Sequence, residues 1–390
     1  MLSISRIAIM RKFSHLQPVN DAGFNFMLGS HRRTFLRALV LAPSLLPSGH
    51  GLSAIQASHR TAAQSASSGS ILDVEGIKVG HYTEPRRPTG CTVVVIEKGG
   101  VAAVDVRGSA PGTRETDLLN PLNSVQKIHA ILLAGGSAFG LDAAAGVMQY
   151  LEEQGIGYET RVAKVPIVPA AILFDLELGD QKIRPDKRAG YLACKAANTK
   201  RCEEGNVGAG AGATVGKLFG ISRAMKGGVG TASLAVGPVV VAALIVVNAF
   251  GDVVDSETGK ILAGARSPDR KSLVNTLEQL KKGNAGITKP FVENTTIGVV
   301  ATNISLTKAE ACKVAQMGQD GLARSVNPVH TAYDGDTLFA VSTGVESSRV
   351  NITLIGALAA EVVARAIRRA VLSARGMPGL PSSQDLAAMR

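Results

Sequence analysis

Nine consecutive apolar residues, Val239–Val247, do most to limit the folds open to this chain. A membrane-spanning helix needs about 20 such residues, so the run is a core strand. Gly237-Pro238 turns it against a second strand, Thr231 to Val236. From Ile71 onward the chain alternates short strands with longer helices. Thr92 to Glu97 and Val101 to Val106 read as adjacent strands around Lys98-Gly99-Gly100, and His129 to Ala134 as a buried strand. Leu141, Ala144, Val147, Met148 and Leu151 recur at helical spacing within a helix from about Phe139 to Gln154. Thr295 to Ala301 and Leu338 to Thr343 complete the strands. Thr307 to Ser325 reads as a helix with a capping pattern at Thr307 and Glu310. Asn351 to Ala374 is a long helix whose basic end (Arg365, Arg368, Arg369) suits its dipole. Sheets with helices on their outer sides absorb this order, which gives a layered α/β fold over residues 71–375. The tail, 376–390, carries Pro378, Pro381 and polar residues and is expected to fray.

Composition excludes several function classes. The chain has no Trp and only 4% aromatic residues, so a stacking platform for single-stranded nucleic acid is poorly supplied. The formal net charge of +11 misleads, because residues 1–70 hold seven Lys/Arg and one acid. The rest of the chain is only mildly basic, with no basic stripe that argues for nucleic acid. Cys91, Cys194, Cys202 and Cys312 show no paired spacing, so there is no zinc or redox motif and no metal or cofactor is expected. Cys194 and Cys202 could pair in an oxidising compartment, but four inert thiols are the favoured reading.

The first 54 residues read as an export signal. Ser30-His31-Arg32-Arg33-Thr34-Phe35-Leu36-Arg37 resembles a twin-arginine signal, Ala38 to Leu46 is a short apolar core, and Gly51-Leu52-Ser53 offers small residues for cleavage. Residues 1–26 precede it, so Met27 is an alternative start. The rival is a mitochondrial presequence, since the segment is Arg-rich, Ser-rich and nearly free of acid. Residues 55–70 read as a flexible linker. The expected location is periplasmic or extracellular, with no stable membrane span; mitochondrial or cytoplasmic are the alternatives.

The chemistry centres on Glu293-Asn294-Thr295-Thr296-Ile297-Gly298, where a lysine-rich loop meets an apolar strand. A threonine that begins a strand can act as a nucleophile once the bond before it is cut. Its own α-amino group, with a pKa of about 7.7–8.0, then serves as base. Gly283 and Gly286 beside Pro290 permit a strained loop that would favour cleavage. Thr-Thr also fits plain β-propensity, and Asn294-Thr295-Thr296, Asn303-Ile304-Ser305 and Asn351-Ile352-Thr353 fit the glycosylation pattern.

This segment resembles the self-cleavage site of the DmpA-like family, the L-aminopeptidase/D-esterase and β-peptidyl aminopeptidase group. Four other blocks resemble it in the same order: Asp105 to Asp117, Ala134 to Asp142, Gly205 to Ala213, and Pro328 to Thr337. The resemblance implies an αββα sandwich like that of amino-terminal nucleophile hydrolases, with its own connectivity. It also implies cleavage between Asn294 and Thr295, with Thr295 as nucleophile, and a homo-oligomer of cleaved units. The implied substrate is a small peptide or amide, which loses its amino-terminal residue through an acyl-threonine ester. An acyltransferase of ornithine acetyltransferase type is one rival; an unprocessed binding protein is another.

The same resemblance assigns an oxyanion role to Asn206, and it puts Asp334 where one branch of the family has a serine. That departure favours the α-amino base. Asp336 is expected to pair with the terminal ammonium or a lysine. A plain Asp-Gly turn competes for Asp334-Gly335-Asp336. His330 is given no catalytic role. Ser137 and Phe139 open a helix whose N–H groups could bind a substrate carboxylate. Arg114 and Glu115 could bind a substrate amine or carboxylate, or form a structural ion-pair network with Asp117. Gly208 to Ala213 loosely fits a dinucleotide fingerprint but lacks its preceding strand, and Gly216-Lys217 lacks the remainder of a P-loop.

Overall fold

A computed structural model describes residues 69–283, 294–348 and 351–388. The expected export signal (1–54) and the expected linker up to residue 68 lie outside the described residues, as do Gly286, Pro290 and Glu293 of the loop before the expected cleavage point. Of that linker, Ser70 instead caps a 3-10 turn, Ile71–Asp73.

Among the described residues nine strands form the main sheet: β1 (Lys78–Thr83), β2 (Gly90–Val106), β3 (Thr113–Arg114), β4 (Lys127–Ala134), β5 (Ala170–Ile172), β6 (Gly228–Val236), β7 (Val239–Val247), β8 (Ile297–Ile304) and β9 (Thr337–Glu346). The hydrogen-bonded order is β6-β7-β8-β9-β2-β4-β5-β3, with β1 on β2. Only β8–β9 and β4–β5 run parallel within that path.

The path folds over on itself because β2 is long and shared. Its first half pairs with β1 and β4, and its second half with β9. This corrects the reading of two adjacent strands around Lys98-Gly99-Gly100. Gly99 has φ +73°, and the register against β4 slips between Val95 and Gly100. The glycines therefore make a bulge that bends one strand, as extra residues in a ladder do, and not a reverse turn.

Alternation along each strand then builds three cores. Val241, Ala243, Ile245 and Val247 of β7 face α3 (Lys308–Ser325) and α4 (Ile352–Ser373). Ala242, Leu244 and Val246 face inward, with Ile297, Val299 and Ala301 of β8 and Val94 and Ile96 of β2. Cys91, Val93 and Val95 turn outward to α1 (Ala143–Glu153) and α2 (Lys187–Lys195). Period-2 side chains with apolar partners on both faces give helix, sheet, sheet, helix in sequence. The αββα arrangement is therefore present.

Thr307 and Glu310 form the expected reciprocal capping box at α3, and Asn351 caps α4 through Thr353 N. The helix expected from Phe139 begins as a 3-10 turn, Ser137–Asp142, before α1. The tail differs from expectation. Met377 and Leu380 bridge, Asp385 holds Ser382, and α5 (Ser383–Ala388) buries Leu386 in the α3/α4 core. Apolar residues in that tail outweigh its prolines. All four cysteines are free, and burial pushes the Cys194 and Cys202 thiols up to about 12. Among the described residues no helix is long and apolar enough to cross a membrane.

Candidate active site

Two ladders fix Thr295. On one side, β8 runs parallel to β9 and the pairing continues ahead of both strands. Asn294 N donates to Tyr333 O at 3.3 Å, Gly335 N to Asn294 O at 2.9 Å, and Thr337 N to Thr296 O at 3.0 Å. On the other side, β7 pairs antiparallel with β8 up to Val246 and Ile297. Two residues further on, that register sets Asn248 across from Thr295, and Thr295 N donates to Asn248 O at 2.9 Å. Thr295 is 3% exposed. Its hydroxyl donates to the carbonyl oxygen of Asn294, the residue just before it.

That carbonyl oxygen thus receives the Thr295 hydroxyl and the Gly335 N–H together. Gly335 leaves no room for a side chain. A Cβ there would lie 2.9 Å from Thr295 Oγ1 and 2.4 Å from Ala110 O. The 107–112 turn closes the same corner, since Arg107 N donates to Asp336 O at 3.0 Å and Ala110 N to Asp334 O at 3.0 Å.

Both carboxylates of the Asp-Gly-Asp turn are buried beside the threonine. Asp336 Oδ1 accepts from Thr296 N at 2.7 Å, and its Oδ2 accepts from His330 N at 3.1 Å and lies 2.9 Å from His330 Nδ1. Asp336 thus holds the residue after Thr295, where the sequence suggested a bond to the terminal ammonium or a lysine. His330, given no role from the sequence, is held with φ +52° against this carboxylate. Asp334 accepts from Phe250 N at 3.2 Å, from Thr331 N at 3.1 Å and from the Thr331 hydroxyl. Burial first, and Asp336 second, push its carboxyl up to about 6. Two like charges in a dry site cannot both ionise at their ordinary pKa.

The sequence missed Asn248 and Lys217. Lys217 Nζ donates to Asn248 Oδ1 at 2.9 Å and to Asn248 O at 3.3 Å, the same carbonyl that holds Thr295 N. Asn248 Oδ1 also accepts from Thr214 N at 3.0 Å, and its Nδ2 donates to Phe174 O at 3.1 Å. These partners orient the amide. The one available signal was a polar residue directly after the apolar run Val239–Val247.

Asn206 is not brought to this cluster. Its Nδ2 donates to Arg375 O at 2.8 Å and its Oδ1 accepts from Arg375 N at 3.0 Å, which ties a loop to the end of α4. Replacing it should therefore cost about 1 kcal/mol of stability and leave kcat within about twofold. Steady-state kinetics and thermal melting of Asn206→Ala check this; a kcat loss of ~10²-fold would restore an oxyanion role.

The other expected site residues face their own surroundings. Ser137 N donates to Leu173 O at 3.0 Å, so that N–H is already used. Phe139 is 58% exposed, with the Arg184 guanidinium 3.7 Å above its ring. Arg114 Nη2 lies 3.0 Å from Met148 Sδ, and Glu115 accepts from Val168 N at 3.3 Å. Among the described residues no ion pair joins Arg114, Glu115 and Asp117. The glycine-rich stretch is no nucleotide loop either. Gly208 N and Ala209 N donate to the hydroxyls of Thr83 and Thr92. Of the glycosylation candidates, Asn294 is buried and the Asn303 amide is committed to Pro238 O and Val240 N.

The chain is 44% identical over 349 residues to an uncharacterised aminopeptidase of Mycobacterium leprae (strain TN), covering 80% of this chain and 92% of that one. It is 33% identical over 314 residues to a 6-aminohexanoate-oligomer endohydrolase of Agromyces sp. (strain KY5R), covering 77% and 85%. The L-aminopeptidase D-Ala-esterase/amidase of Ochrobactrum anthropi, described as a variant of the Ntn hydrolase fold, superposes with a TM-score of 0.61 at 18% identity, covering 82% and 93%. The Burkholderia sp. β-aminopeptidase gives 0.58 at 21% identity, covering 82% and 92%. The model of peptidase family S58 matches residues 69–384. The chain belongs to peptidase family S58 and is a hydrolase of peptide or amide bonds.

Proposed function

We propose that the chain severs its own Asn294–Thr295 bond, and that Thr295 then serves as the nucleophile of an aminopeptidase acting on small peptides and amides. The observation that carries this reading is the pair of donors on one carbonyl: the Thr295 hydroxyl and the Gly335 N–H both reach Asn294 O. Attack of Oγ1 on the Asn294 carbonyl carbon places negative charge on that oxygen, where Gly335 N–H already donates. As the tetrahedral centre collapses, the C–N bond breaks and the hydroxyl proton ends on the Thr295 nitrogen. An ester joins Asn294 to Oγ1. Water cleaves the ester, which leaves a carboxylate on Asn294 and restores the hydroxyl beside a free α-amine.

The freed threonine repeats the chemistry on substrate. Its α-amine takes the hydroxyl proton, Oγ1 attacks the substrate carbonyl, the substrate amine departs with a proton, and water releases the acyl group. An unperturbed terminal amine titrates at about 7.7–8.0. Here the nitrogen shares the Asn248 carbonyl with the Lys217 ammonium. That cation disfavours a second charge on the nitrogen, so the amine is deprotonated at lower pH than it would be without Lys217.

Substrate preference follows from charge. Asp334 and Asp336 are buried acids beside the nucleophile, and they favour a substrate that carries a free ammonium. Relatives named for aminopeptidase and 6-aminohexanoate-oligomer hydrolysis support amides of short amino acids, with water as acyl acceptor in preference to an amine. The test compares an amino-acid p-nitroanilide, a 6-aminohexanoate oligomer and their N-acetylated forms. Residues should be released singly from free amino termini, with the acetylated forms uncut. Internal fragments from a capped oligomer would instead make the protein an endohydrolase.

Export belongs to the same proposal, supported by Arg32-Arg33 and the apolar stretch after them. Changing both arginines to lysine should hold a fused reporter in the cytoplasm. Equal export of the variant would discard the twin-arginine reading.

A further inference from the structure

Lys226 is 0% exposed, and among the described residues no carboxylate lies within ion-pair distance of it. Its ammonium donates instead to three carbonyls: Ala213 O at 2.7 Å, Gly210 O at 3.1 Å and Gly227 O at 3.3 Å. An apolar side chain of the same length would spare the desolvation of a charge. A chain of hydrogen bonds leads from this cation to the nucleophile. Thr214 and Lys226 are cross-strand partners in a two-residue ladder. The peptide that carries Ala213 O also carries Thr214 N, and Thr214 N donates to Asn248 Oδ1. Asn248 in turn holds Lys217 Nζ through its side chain and Thr295 N through its carbonyl.

We propose that Lys226 is a positioning residue for the reaction at Thr295. Its ammonium fixes and polarises the 213–214 peptide, which sets the Asn248 amide, which sets Lys217 beside the nucleophile's nitrogen. A peptide whose oxygen faces a cation donates more strongly through its N–H, and in a dry site successive hydrogen bonds reinforce one another. The ionisable groups that face Lys226 are Asp175, itself paired with Arg87, and Lys217. Burial pushes the Lys226 ammonium down to about 7. The proposal rests on the reading of Thr295 as nucleophile.

The experiment compares wild type, Lys226→Met and Lys226→Gln on a peptide amide, with circular dichroism as the control for folding. Lys226→Met is expected to lower kcat by about tenfold or more with KM within about twofold. Lys226→Gln, which keeps an N–H for Ala213 O, is expected to recover most of the loss. A folded methionine variant with unchanged kcat, or one whose loss lies in KM, overturns the proposal. Thr295→Ala is assayed alongside, and its retained activity would defeat the nucleophile reading independently. Should the methionine variant not fold, the wild-type chain serves. The Thr214 amide resonance should move with pH at the midpoint of the Lys226 ε-carbon. An amide that stays fixed while Lys226 loses its proton overturns the proposal.

Discussion

Thr295→Ala should remain one chain and hydrolyse nothing. The alanine keeps its N–H on Asn248 O, and Asn294 O keeps the Gly335 N–H, so the fold should survive. What it removes is the hydroxyl on the Asn294 carbonyl. Loss of a nucleophile that acts together with its base typically costs about 10⁶-fold in kcat. A denaturing gel of the purified variant and an amide assay read both effects. A variant that is still cut, or that still releases amine, would put the nucleophile elsewhere.

Lys217→Met should lower kcat by ~10²–10³-fold, the loss typical of one preorganised electrostatic donor. It should also move the base-side midpoint of the kcat/KM profile upward. The sign comes from the geometry. Lys217 and the Thr295 nitrogen donate to one carbonyl oxygen, so removing the ammonium lets the α-amine hold its proton to higher pH. The active, deprotonated fraction at neutral pH falls accordingly. Profiles of wild type and variant on one substrate check it. An unmoved midpoint would mean that the lysine does not act on the amine.

The two halves of the site were unequally legible in the sequence. Thr295, Asp334 and Asp336 sit just ahead of β8 and β9, and the parallel pairing that continues ahead of both strands brings them together. Periodicity locates the strands, and the resemblance marks the residues ahead of them. Asn248 and Lys217 come from positions far upstream. The antiparallel register of β7 on β8 places Asn248, and nothing in Val247-Asn248-Ala249 states that register. Lys217 was met only as a failed P-loop. The resemblance assigned Asn206 its oxyanion role, but its amide ties down Arg375 and the glycines after it serve packing. Gly208 carries φ +52°, and a Cβ on it would meet Thr92 Oγ1 at 2.3 Å. The layered fold was easier to anticipate than its strand boundaries. Apolar alternation dictates faces, whereas the Gly99-Gly100 bend depends on pairing with β4 and β9 at once.

The direct test of the central claim is the intact mass of the purified wild-type protein under denaturing conditions. The account requires a fragment running from Thr295 to Arg390 with a free amino terminus. Its partner should end at Asn294. A single uncut chain that nevertheless hydrolyses amides, or a cut at any other bond, would contradict it.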